Sequence, residues 1–148
     1  MEKAKTPDRL YCSSKFRTLM KGIDDRNFMG LSNNKIDRND LFLFAMSLGV
    51  ESNTRTPLVN PDGIALKTSI SAKTHAAMYA IFINSLKDPE KEVETISDIS
   101  AVYKTAEQYA NTGFEILADY VENIEPDNLV WDMIEELDEQ YDAIQKEL

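Results

Sequence analysis

The residue types that carry most enzyme chemistry are scarce in this chain. It has one histidine, His75, and one cysteine, Cys12, in 148 residues. Schemes built on His-Cys, Ser-His-Asp or several metal-bound histidines would therefore all hang on His75. That residue stands one position before Ala76 in an apolar helical pattern and reads as a structural histidine. Cys12 lies between Tyr11 and two serines, outside any redox or zinc motif, and reads as a small apolar residue. Alone it forms neither an internal disulfide nor a cysteine zinc site within one chain. The sequence contains no G-x-G-x-x-G, G-x-x-x-x-G-K-[ST] or G-x-S-x-G, so a nucleotide cradle and a hydrolase elbow both lack support.

Carboxylates are plentiful instead. Asp132, Glu135, Glu136 and Glu139 fall on the polar side of the last helical pattern, with Asp132/Glu136 and Glu135/Glu139 four residues apart. Such spacing could hold a hard cation such as Mg²⁺ with waters, which makes a metal-dependent enzyme one alternative. It is also the pattern of a solvated acidic face, and no Glu-x-x-His suggests a di-iron bundle. The acidic face is the reading adopted, with no enzyme activity and no cofactor expected.

The net charge of −10 hides its distribution. Residues 1–75 hold twelve Lys/Arg against eight Asp/Glu, whereas residues 76–148 hold four against eighteen. Asymmetry of this size bears on partners and solubility rather than fold. The N-terminal half offers Lys3, Lys5, Arg9, Lys15, Arg17, Lys21, Arg26, Lys35 and Arg38, with Tyr11 and Phe16 among them. Cations of this kind supply most DNA affinity by meeting phosphates. A DNA-binding subunit using Lys15, Arg17, Lys21 and Arg26 is accordingly a second alternative. Against it, Asp8, Asp24, Asp25 and Asp37 are interspersed, and a pI near 4.5 is the opposite of the usual footprint.

The elements that position these groups follow from periodicity. At 148 residues, 43% hydrophobic and 28% charged, the chain suits a single helical domain over 1–148. Residues 1–8 are polar and expected to fray. Leu10–Cys12 suits a short extended piece, and Phe16, Leu19, Met20 and Ile23 predict a helix from about Ser14, capped by Ser13 or Ser14. Asp24–Lys35 reads as a loop anchored by Phe28, Met29 and Leu31. Leu41–Leu48 is apolar on nearly every side, which predicts a central buried helix capped by Asp37, with Asp40 completing a capping box, and ended by Gly49. Asn60-Pro61-Asp62-Gly63 is a turn signal between Leu58-Val59 and Ile64–Leu66, so the pattern allows a short β-hairpin near 58–66.

A third helix is expected from Ser69 or Ser71 to about Leu86, burying Ala72, Ala76, Tyr79, Phe82, Ile83 and Leu86. After a charged linker at Glu90–Glu94, a long helix capped by Ser97 has the stripe Ile99, Tyr103, Ala106, Ala110, Gly113, Leu117, Val121 and Ile124. Its small middle residues invite close approach of another helix. Glu125-Pro126-Asp127 breaks the chain before a C-terminal amphipathic helix over 126–148. There Val130, Ile134, Leu137, Tyr141, Ile144 and Leu148 alternate four and three apart, a heptad seam widened by Trp131 and Met133. Such a seam packs on its own domain or takes a protein partner or second copy. No secretory pattern opens the chain, and the run Leu41–Met46 is too short to span a membrane, so a cytoplasmic location is expected.

Three pieces, Asp40–Gly49 (DLFLFAMSLG), Arg55–Leu58 (RTPL) and Ala106–Leu117 (AEQYANTGFEIL), together resemble small prokaryotic proteins found with DNA phosphorothioation (Dnd-type) and related phage-defence systems. The likeness spans about Phe16–Ile124 and leaves the heptad helix outside it. Ser14–Leu48 is also similar to DndE, a small helical DNA-binding subunit of DNA sulfur modification, although the acidic C-terminal half departs from that pattern. The resemblance implies an accessory role in DNA modification or defence and transfers no catalytic residues. The expected fold is all-α, about five helices around Leu41–Leu48. The expected function is a non-catalytic adaptor acting through protein contacts, with Arg55 and the seam Val130, Ile134, Leu137, Tyr141 and Ile144 as its interface. For Arg55 a structural salt bridge or carbonyl cap is the competing role.

Overall fold

A computed structural model describes residues 7–26, 36–90, 92–123 and 126–147, with the side chains of residues 93 and 126–130 outside the description. The elements are β1 (Arg9–Ser13), α1 (Phe16–Asp25), α2 (Arg38–Glu51), β2 (Pro61–Leu66), α3 (Ala72–Ser85), α4 (Ile99–Asn123) and α5 (Pro126–Glu147). Short 3-10 turns at Lys67–Ser69 and Val93–Ser97 lead into α3 and α4. The all-α expectation of about five helices with a minor β element holds. The expected loop anchors Phe28, Met29 and Leu31, together with Ile124 and Leu148, lie outside the described residues.

Two compact units make up the chain. The first contains β1, α2, β2, α3 and α4 as far as Leu117; the second contains α1 beyond Phe16, the end of α4 and α5. In the first unit, α2 starts where the Asp37 carboxylate accepts from the Asn39 backbone N–H at 2.8 Å. Leu41, Phe42, Ala45 and Met46 are fully buried on it. Leu41, Phe42 and Met46 each contribute about 1.5–3 kcal/mol on burial.

Gly49 does not end this helix, which runs on to Glu51 with Ser52 as its C-cap. The left-handed residue that turns the chain is Asn53, at φ 52°. Gly49 serves a different constraint. A Cβ there would overlap the carbonyl of Tyr109 on α4, and a Cβ on Gly113 of α4 would overlap the carbonyl of Ala45 on α2. The two helices thus touch backbone to backbone, each glycine facing a carbonyl of the other. The close approach expected of Gly113 is therefore present, and it has a reciprocal partner.

The stripe expected on α4 is buried at Tyr103, Ala106, Ala110, Gly113 and Leu117, but burial extends beyond it. Residues 109–114 are buried without interruption, so α4 is enclosed on all sides at that level. It shares the central position with α2, on which Ser47 is exposed. Its first turn is capped by Asp98, whose carboxylate accepts from the Ala101 N–H at 3.3 Å. Ser97, the expected cap, instead donates its hydroxyl to the Glu94 carbonyl.

The β element near 58–66 is present, but the strand partner is β1 rather than Leu58-Val59. Arg9 pairs with Leu66, Leu10 with Ala65, Tyr11 with Gly63, Cys12 with Asp62 and Ser13 with Pro61, antiparallel, with an irregularity between Leu10 and Tyr11. Asn60 (φ 49°) turns the chain into β2 instead of closing a local hairpin. Ser13 caps no helix: its hydroxyl accepts from the Val59 N–H at 2.9 Å, and α1 begins only at Phe16.

Ser71 is the N-cap of α3, accepting from the Thr74 N–H at 3.1 Å. The face of α3 that is fully buried is Thr74, Met78 and Phe82, whereas Ala72, Ala76 and Ile83 are exposed. Thr74 can be buried because the Ser71 hydroxyl also meets its hydroxyl at 3.0 Å. Within the second unit, α1 buries Met20 and Ile23 as its periodicity predicts, and the Asp24 carboxylate accepts from the Ile36 N–H at 3.2 Å.

The glycine contact gives a sharp contrast for urea denaturation. Gly49→Ala and Gly113→Ala force the α2 and α4 backbones apart and are expected to cost about 3 kcal/mol or more each. Gly22→Ala in α1, where a Cβ meets nothing within 4 Å, is expected to stabilise by up to about 1 kcal/mol. Equal effects at all three positions would contradict the reciprocal contact.

Candidate functional site

The sequence-derived interface residues separate in the structure by what they touch. On α5 the heptad seam is open to solvent: Ile134 is 42% exposed, Leu137 63%, Tyr141 61% and Ile144 56%. Trp131, beside the seam, is 70% exposed. A core helix buries such positions; here the row is apolar surface open to solvent. The side chain of Val130, at the head of the seam, lies outside the described residues. From Trp131 to Glu147 the polar faces carry seven carboxylates against the single cation Lys146.

Arg55 belongs to a different arrangement. Its Nε donates to Gln108 Oε1 at 3.0 Å and its Nη2 to Thr105 Oγ1 at 3.4 Å. The guanidinium also stands 5.8 Å from the centre of the Tyr109 ring, a cation–π distance. All three partners are on α4. The rest of the loop is sewn to the same helix. The Thr56 N–H donates to the Gln108 carbonyl at 3.1 Å, the hydroxyls of Thr56 and Thr112 are 2.7 Å apart, and Thr112 donates to the Thr54 carbonyl. Asn111 donates to the Pro57 carbonyl at 3.3 Å while accepting from the Ser13 N–H at 3.0 Å. The RTPL segment is a strap, and Arg55 is one of its ties. Its partners are side chains of α4, neither a salt bridge nor a carbonyl cap.

Of the basic residues, Lys15 pairs with Glu115 at 3.2 Å and lies 5.0 Å from the centre of the Phe16 ring. Arg17 and Lys21 are exposed one helical turn apart on α1, and Arg26 is exposed just beyond its end. Asp24 and Asp25 sit within the same segment. Among the described residues, no group of three or more His, Cys, Asp or Glu side chains is placed to hold a metal ion. The carboxylates of α5 are spread along the helix instead.

One cluster of titratable groups escaped the sequence reading. His75 Nε2 is 3.0 Å from Tyr103 Oη, joining α3 to α4. One turn on, Glu107 is half-buried, and its carboxylate accepts from the Tyr11 backbone N–H of β1 at 2.6 Å. Burial raises the Glu107 carboxyl to about 7, against the smaller opposing effect of the Tyr11 N–H. Burial likewise raises the Tyr103 hydroxyl, helped by the nearby Tyr79 and Glu107. A carboxyl that titrates near neutrality is a proton-sensitive joint between β1 and α4. Its signal in the sequence was spacing: Glu107 lies four residues after Tyr103 and four before Asn111, on the widened buried face.

A family model described as DNA sulphur modification system-associated protein 4 matches residues 36–147. The match begins at Ile36 and takes in α5, whereas the resemblance drawn from short motifs ran from Phe16 to Ile124 and left that helix out. No curated protein and no solved structure matches the chain.

The Glu107 position fixes a pH dependence. Below about pH 4.5 the carboxyl is neutral in both states; between about 4.5 and 7 the unfolded chain releases a proton that the folded chain keeps. Its contribution to stability is thus full at low pH and lost as pH rises through about 7. Glu107→Gln removes this loss. It is expected to be more stable than wild type at pH 8, by up to about 3 kcal/mol, and indistinguishable at pH 4. Denaturation across that range checks it, and parallel profiles for the two proteins would contradict it.

Proposed function

The chain belongs to the family of DNA sulphur modification system-associated protein 4, and from that membership we propose that it is a non-catalytic adaptor of a prokaryotic DNA-modification and phage-defence system, acting through protein contacts. The observation that carries this reading is the exposed apolar row of α5: Ile134, Leu137, Tyr141 and Ile144, with Trp131 beside it. Apolar surface of this regularity gains most from burial against another helix. Three groups with chemistry suited to other roles are engaged within the fold. Arg55 ties the strap to α4, His75 meets Tyr103, and Lys15 pairs with Glu115.

Family membership supports work alongside a DNA-modifying assembly, and the seam supports a protein rather than a small molecule as the thing bound. No helix among the described residues is long and apolar enough to cross a membrane. A cytoplasmic location fits that work.

Co-expression with the proteins of a DNA sulphur modification system, followed by affinity purification, tests the reading. Wild type is expected to retain one of those proteins. Leu137→Asp is expected to lose it, with an unchanged melting temperature because the position is 63% exposed. If Leu137→Asp unfolds the protein, the seam packs within the chain and the reading fails. If instead duplex DNA binds directly, weakening steeply with salt and failing in an Arg17→Ala/Lys21→Ala variant, the DNA-subunit alternative replaces it.

A further inference from the structure

We propose that the occupant of the α5 seam is a basic amphipathic helix of a different polypeptide, an inference that rests on α5 being a protein-contact surface. The described part of the seam runs over residues 131–147, about 25 Å of helix. Its apolar positions step by three and four residues, Ile134, Leu137, Tyr141 and Ile144, which is the period that keeps one stripe facing a partner helix along its length.

The charge beside that stripe selects the partner. Asp138 and Glu147 flank it, and Asp132, Glu135, Glu136, Glu139 and Asp142 fill the more distant polar faces of the helix, against the single cation Lys146. A second copy laid along the seam would set two helices of seven carboxylates and one lysine each side by side, with Asp138 and Glu147 of both at the junction, and like charges so placed disfavour pairing. Duplex DNA and anionic lipid surfaces meet the same repulsion. A helix with an apolar stripe flanked by lysines or arginines reverses every one of these signs. Its alkyl stems also cover Trp131 and Met133 while the charged heads reach the carboxylates.

Trp131 is the single tryptophan of the chain and is 70% exposed beside the seam, so its emission reports cover. The full chain is titrated with a synthetic helical peptide of three heptads carrying leucine and isoleucine on its seam and lysine beside it. The same peptide with glutamate in place of lysine is the control, and sedimentation of the chain alone gives its oligomeric state. The expected result is a monomer whose Trp131 emission shifts to the blue with the lysine peptide. That peptide should bind at least about tenfold more tightly than the glutamate peptide, with affinity falling as salt rises.

Leu137→Asp, which adds negative charge but breaks the seam, should lose the lysine peptide. Asp138→Lys/Glu147→Lys, which keeps the seam, should shift preference toward the glutamate peptide. Equal binding of both peptides would overturn the charge selection and leave the protein-contact reading intact. A chain that sediments as a dimer, with Trp131 already shielded, would also overturn the inference and make a second copy the occupant. If neither peptide moves Trp131 in a monomeric chain, the inference fails, and retention of a modification-system protein by wild type decides the protein-contact reading separately.

Discussion

Backbone contact between α2 and α4 is the constraint on which the first unit depends. Gly49 faces the Tyr109 carbonyl and Gly113 faces the Ala45 carbonyl, so neither position has room for a side chain. Helix interiors lose about 1 kcal/mol for each glycine relative to alanine, a cost offset here by bringing two apolar helices to their closest approach. With the helices that close, Leu41, Phe42, Ala45 and Met46 on one side and Ala106, Ala110 and Phe114 on the other are removed from water entirely. The three segments that carried the family likeness are the ones that meet: α2, the strap at Arg55–Leu58, and the middle of α4.

Polar residues on α4 extend that contact to the rest of the unit. Buried amides and hydroxyls are costly unless paired, and Asn111 and Thr112 are paired with backbone of the strap and of β1. Glu107 does the same for Tyr11 and retains a proton to near neutral pH in doing so. Polar groups clustered on α4 are in this way used to hold β1 and the strap in place. What the described residues leave unengaged on a large scale is the apolar row of α5, set in a strongly acidic helix. That contrast, rather than any cluster of reactive groups, directs the functional reading toward a protein partner of basic character.

Much of this was legible from spacing alone. The apolar run of α2, its Asp37 cap, the stripe of α4 and the heptads of α5 each follow from local periodicity, and Gly113, with Ala106 and Ala110 on the same stripe, pointed to close packing of another helix. Gly49 misled for a physical reason: a glycine after an apolar run is the usual helix stop, and only the partner helix reveals that this one is a contact. The pairing of β1 with β2 was hidden because it joins segments about fifty residues apart, beyond the reach of a turn signal. On α3 the period was right and the phase was not, since burial of Thr74 depends on a hydroxyl partner that hydrophobicity does not register. Arg55 drew its role from side chains of α4 and Glu107 its role from the Tyr11 N–H of β1, partners that no local pattern displays.

The central claim is that this protein works through α5. Hydrogen–deuterium exchange on the chain alone, and again with the purified proteins of a DNA sulphur modification system, tests it directly. The expected result is slowed exchange concentrated between Trp131 and Glu147, with α2 and the buried middle of α4 unchanged. Unaltered exchange along α5, with protection appearing instead around Arg17 and Lys21 when duplex DNA is added, would contradict the account.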